Sequence, residues 1–216
     1  MKHHASMRAH LSYIELGSPD PQALSRFYRD AFSADVEVVG DMRICHGPER
    51  CVVISPGEAK TLKSAGYAVY DPAWLDGLME RLAVAGVAHE RTSTPVFADA
   101  VGFTDLSGNN MFFGVPRARA PATKGLPGRI QHVVVATRDA AGMVDFYTRV
   151  VGLTSRTGCS MTPASCAPPS CARTTSIIVS RSSRRAKIAS IIIAMKRRTG
   201  TRSAIGATIS PICASP

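Results

Sequence analysis

The chain has 216 residues, 45% hydrophobic and 19% charged, with a formal net charge of +10, a length that allows one or two domains. No run approaches membrane-spanning length and the start, MKHHASMRAH, lacks the apolar core of a secretory signal, so a soluble, cytoplasmic protein with no membrane partner is expected. The charge does not by itself indicate nucleic acid: residues 1–154 hold all 16 acidic residues and 16 of the 26 Lys and Arg, whereas 155–216 hold ten basic residues and no Asp, Glu, Leu, His or aromatic.

Residues 1–10 read as a flexible N-terminus exposing His3, His4 and His10. The stretch YIELGSPDPQALSRFYRDAFSA, Tyr13 to Ala34, then gives a strand, an N-cap at Asp20 with Pro21 in the first turn, and a helix. Leu24, Phe27 and Tyr28 fall three and four residues apart, which places them on one helix face. DVEVVGD, MRICHGP and CVVISPG are short strands broken by Gly and Pro, with Cys45 and Cys51 as reduced thiols. Alternation sends Cys45 and His46 to opposite faces, which argues against a joint metal site.

A second unit starts at Ser64. SAGYAVY is its strand, Asp71-Pro72 its helix start, and Trp74, Leu75, Leu78 and Leu82 its core-facing stripe, closed by Gly86. HERTSTPVF, ADAVGFTD and MFFGVPR follow as three strands around the turn Ser107-Gly108-Asn109. Residues 11–116 therefore form two strand-helix-three-strand units, and 117–128, rich in Ala, Pro, Gly and basic residues, read as a linker.

A third unit opens in 129–154. At a constant offset of 119, Asp139 falls on Asp20, Phe146 on Phe27 and Tyr147 on Tyr28, while His132 stands where the first copy has Tyr13. One such unit is too small to bury both its faces, so the repeat predicts pairing of units. The fold class is α+β: paired βαβββ modules forming an incomplete barrel, with a third, truncated module.

The order of these motifs, with Asp105 to Phe113 (DLSGNNMFF), resembles the vicinal oxygen chelate superfamily of glyoxalase I, bleomycin resistance proteins and extradiol dioxygenases. The resemblance covers residues 11–154. A metal-free two-unit domain, a linker and a metal-binding second domain resemble the extradiol layout. It implies Fe(II), held by two His and one carboxylate, acting on a small aromatic diol with O2. His132 stands at the first histidine position. The glutamate position, just past the Ser107–Asn109 turn, falls near Phe112, so the first domain is expected to hold no metal.

Taken alone, a histidine at a strand start is more often structural than a ligand. No His or Glu follows His132, so this chain is not expected to bind Fe(II) stably or to be active as written. Two other readings stay open: a glyoxalase-like metal-dependent lyase or isomerase, and a metal-free small-molecule binder of the bleomycin-resistance type. An incomplete third unit exposes apolar surface and favours a homo-oligomer.

The break near Ser155 suggests a shifted reading frame. Ile codons begin AT, so reading one nucleotide earlier after a codon ending in C gives His. Ser176-Ile177-Ile178 and Ile191-Ile192-Ile193 can thus each conceal a His-His pair, and the family's last glutamate would lie beyond Pro216. Read literally, 155–216 is an aberrant basic tail, expected to be disordered. Its Cys159, Cys166, Cys171 and Cys213 match no zinc spacing. Its basic residues could neutralise phosphates, but no aromatics stand among them for base stacking.

Overall fold

The structure is a computed structural model that describes residues 8–48, 50–120, 122, 130, 132–153 and 176–181. The first unit comprises β1 (Ala9–Ser18), α1 (Pro21–Phe32), β2 (Asp35–Val39), β3 (Met42–Gly47) and β4 (Arg50–Pro56). The second comprises β5 (Thr61–Val69), α2 (Ala73–Val84), β6 (His89–Thr92), β7 (Phe97–Thr104) and β8 (Asn110–Pro116). Their strands form one eight-stranded sheet in the order β2-β3-β4-β1-β5-β8-β7-β6.

The sheet repeats itself about its middle. Within each unit the first strand runs parallel to the last, β1 with β4 and β5 with β8, and the units join by antiparallel pairing of β1 with β5. It stays open, with β2 and β6 at its edges. The paired modules and the α+β class are those expected from the repeat.

Local chemistry explains the helix starts. Asp20 accepts a hydrogen bond from the Ala23 amide at 2.8 Å, and Asp139 from the Gly142 amide at 2.9 Å, each satisfying a donor that a helix N-terminus leaves free. At α2 the Asp71 carboxylate takes the Ala73 amide at 3.0 Å, and Gly86 leaves the helix at φ +68°, a left-handed conformation suited to glycine.

One face of the sheet carries the helices. Leu75, Leu78 and Leu82 of α2 are fully buried there with Leu11, Ile14, Val52, Tyr67 and Phe113, each aliphatic side chain contributing about 1.5–3 kcal/mol by burial. The other face has a separate cluster of Tyr13, Ile44, Cys51, Val53, Ala68, Phe97 and Ala100. Cys45 and Cys51 are free and buried, one in each cluster. Among the described residues, no helix is long and apolar enough to cross a membrane.

Four expectations change in detail. His10 lies within β1 rather than before it, because the strand starts at Ala9. The second unit's first strand begins at Thr61, not Ser64. HERTSTPVF is not one strand: Thr94 Oγ1 accepts the Val96 and Phe97 amides at 3.2 and 2.9 Å, and this hydroxyl turn separates β6 from β7. On α1, Leu24 and Tyr28 pack on the core while Phe27 is 56% exposed. At 100° per residue, Phe27 lies 60° to one side of Leu24 and Tyr28 lies 40° to the other, so the sheet reaches Tyr28 and Ser25 instead.

The third unit begins with β9 (His132–Thr137) and α3 (Ala140–Asp145), which runs into a π-helical turn over Phe146–Val150. Ile130, Val133, Val135, Met143, Phe146, Tyr147 and Val151 are buried in the helix-side core of the first two units. A strand β10 (Ser176–Arg181) pairs in parallel with β9. This strand falls within the stretch 155–216, and its β-branched run Ile177-Ile178-Val179 suits a strand. His3, His4, the four tail cysteines and the remaining tail motifs lie outside the described residues.

Candidate functional site

The helix-free face carries Tyr13 and Phe112, the first-domain positions that answer to the family's ligands and at which no metal was expected. The strand registers set one row across it: His46, Cys51, Tyr13, Gly66, Phe112 and Gly102 lie side by side on β3, β4, β1, β5, β8 and β7. Two aromatics fill the row by lying over glycines. A Cβ on Gly66 would fall on the Tyr13 ring, and one on Gly102 would come within 2.7 Å of the Phe112 ring. Phe97 closes over Tyr13 edge-on, ring centroids 5.3 Å apart.

This packing is specific enough to test. Gly66→Ala puts a methyl group where the Tyr13 ring lies, and overpacking of a buried site costs about 1–3 kcal/mol. A urea midpoint lowered accordingly at constant slope is the expected result, and Gly40→Ala, at a left-handed turn with open space around it, separates crowding from backbone strain.

Two residues along β1, the same face turns polar. The Glu15 carboxylate accepts from Ser55 Oγ at 2.7 Å and from Ser64 Oγ at 2.8 Å. Lys63 Nζ donates to Ser55 Oγ at 2.9 Å and stands 3.8 Å from Glu15. Burial pushes the Tyr13 hydroxyl up to about 12, against the opposing pull of hydrogen bonds from Ser64 and Thr94. With its value raised, the phenol stays neutral at ordinary pH and acts as a hydrogen-bonding group. At the other end of the row, His46 Nε2 lies 2.9 Å from Glu37 Oε2, and burial lowers the imidazole below its ordinary range.

The residues do not fit iron here. Phe112 has no donor atom, and among the described residues no three His, Cys, Asp or Glu side chains gather at a common point. His132 opens β9 and pairs with Ser176 on β10, as Tyr13 on β1 pairs with Cys51 on β4. Of the carboxylates after it, Asp139 caps α3 and Asp145 pairs with Arg149 at 2.7 Å.

Sequence reasoning did not single out Glu15, Ser55, Lys63 and Ser64. Their one available signal was Glu15 itself, an acidic residue two positions from Tyr13 in an apolar strand, and hence on the same face. It also missed the contact between Tyr147 and Asp105, 42 residues apart, at 2.8 Å.

Two mirrored strand-helix-three-strand units on an open sheet, with a third begun beside them, make this the vicinal oxygen chelate fold. Solved structures similar to it include a halotolerant catechol dioxygenase (19% identity, TM-score 0.58, covering 68% of this chain and 55% of that one). An extradiol ring-cleaving dioxygenase from B. fuscum has the same identity and TM-score, over 68% of this chain and 46% of that one. The Mn(II)-bound glyoxalase from Novosphingobium aromaticivorans matches at 21% identity and TM-score 0.55, over 68% and 54%. The chain spans about half the length of these structures. No protein-family model and no curated protein matches its sequence.

Proposed function

We propose that this chain is an incomplete relative of the Fe(II)-dependent extradiol dioxygenases that cleave catechols with O2. Residues 11–116 act as the metal-free domain, 117–128 as the linker, and 129–154 as the opening of the module that would carry the iron. The observation that carries the reading is the repeat of the β1–β4 pairing in β9–β10, with His132 in the place of Tyr13. The fold likeness to catechol dioxygenases supports it.

Residues 133–216 hold no His or Glu, so they supply no second histidine beside His132, and no reaction step is assigned to iron. The first domain's part is positional: its sheet and α2 bury the third unit's strand and helix. Cytoplasmic location and self-association belong to the same proposal.

The purified chain, loaded with Fe(II) without oxygen and desalted, is expected to retain far less than one iron per chain by mass spectrometry. On admitting air and catechol it should show no oxygen uptake and no ring-opened product by absorbance. One tightly held iron per chain with catechol-dependent oxygen uptake would overturn the reading of incompleteness. Sequencing the gene across the codons for Gly152 to Pro216 tests the shifted frame, which is rejected if the alternative frame is closed by stops.

A further inference from the structure

Asp105 follows β7 at 5% exposure, with most of its hydrogen bonds within its own turn. Its Oδ1 accepts the Ser107 and Asn109 amides, each at 2.9 Å, and Asn109 Nδ2 donates to both carboxylate oxygens at 2.9 and 2.8 Å. One further donor is foreign to the turn. Tyr147 Oη, from the third unit, donates to Oδ2 at 2.8 Å in a buried contact.

A second cross-unit contact lies one turn further along. Arg81 of α2 donates from Nε to the Val150 carbonyl at 2.9 Å and from Nη2 to the Val151 carbonyl at 3.1 Å. Such carbonyls have no partner within their own helix, and a cation beside them is favoured by the helix dipole. Gly152, at φ +88°, turns the chain away beside this guanidinium, 3.2 Å from where its Cβ would stand.

Between these two contacts the helix is wound wide. The Val151 amide reaches back to the Phe146 carbonyl at 3.0 Å and the Leu153 amide to the Tyr147 carbonyl at 2.9 Å. The same Phe-Tyr pair in the first unit, Phe27 and Tyr28, sits in ordinary α-helix with Phe27 exposed, whereas Phe146 and Tyr147 are both buried. Single wide turns of this kind are rare and occur frequently at functional sites.

We infer that Asp105 and Arg81 form a latch on the third unit: the Phe146–Val150 segment takes its π-helical form because it is docked on the second unit. The latch is a positioning device. Undocked, the segment loses the partners that hold its wide turn, and α3 loosens with it while the eight-stranded sheet persists. The inference does not depend on the iron reading, since no metal enters it.

Hydrogen exchange on the full chain, followed by mass spectrometry, tests it with Tyr147→Phe and Arg81→Met. Tyr147→Phe removes only the hydroxyl and leaves Asp105 its Asn109 bonds, so the turn it supports survives. Each variant is expected to raise exchange over 140–153 about five- to tenfold, the range for one lost buried hydrogen bond, with β4 and β5 unchanged. Arg81→Lys, which keeps the charge but not the two-pronged donor, should fall between wild type and Arg81→Met. Wild-type exchange over 140–153 in both variants, or an equal rise in β4 and β5, would overturn the latch.

Discussion

Phe113→Ala is expected to destabilise the protein by about 3–5 kcal/mol, the range for truncating a fully buried aromatic. Phe113 is 0% exposed on β8 and stacks on Tyr67 and Phe103, ring centroids 5.1 and 5.9 Å away. Phe103 in turn meets Phe146 edge-on at 5.9 Å, and Phe146 meets Tyr147 at 5.4 Å. The substitution therefore leaves a hole at the root of a ring series running from the second unit's sheet into the third unit's helix, and neighbours packed on both sides cannot collapse into it freely. Urea unfolding at constant slope measures the effect. Val84→Ala, at a site 91% exposed, should move the midpoint by less than about 0.5 kcal/mol. A loss below about 1 kcal/mol for Phe113→Ala would mean that the stack is not held in solution.

That ring series also marks how far the sequence could be read. The two helices of the first units, their aspartate starts and the strands between them follow local rules, because periods of 3.6 and 2 and the capping chemistry are written in consecutive residues. The sheet order is not local. Nothing near Tyr13 specifies that β1 takes β4 in parallel on one side and β5 in antiparallel on the other. Asp105 was legible as the start of the DLSGNNMFF stretch, but its partner Tyr147 belongs to another unit. Phe27 and Phe146 occupy equivalent positions in the repeat, yet one is exposed and the other buried, since burial depends on what the fold brings alongside.

The site shows the same division. Tyr13 and Phe112 could be recognised as poor ligands from residue type alone. That they fill the helix-free face by lying over Gly66 and Gly102 required the register between strands. The strand at Ser176–Arg181 stands in a stretch without acids, Leu or aromatics, while its own residues are ordinary strand formers.

Alkali provides the second large effect. Burial holds the Cys45 thiol up at about 11 and the Tyr13 hydroxyl up at about 12, and it raises Tyr28 as well. Each of these groups is neutral when protonated, and the unfolded chain releases its proton at lower pH than the folded one. The folded state therefore binds more protons above about pH 9, and stability falls as pH rises. Their contribution is complete below the ordinary thiol and phenol values and is lost through the window from about pH 9 to 12. With Cys45 and Tyr13 both 3% exposed, one pKa unit corresponds to about 1.4 kcal/mol, so the two together remove on the order of 3–4 kcal/mol by pH 11. The thermal midpoint should be flat from pH 7 to 8.5 and fall steeply beyond it. Cys45→Ala should shrink the early part of the fall without moving its onset, because the buried Cys51 thiol is raised too, and Tyr13→Phe should shallow the later part; an unchanged slope in both variants would place the alkaline sensitivity elsewhere.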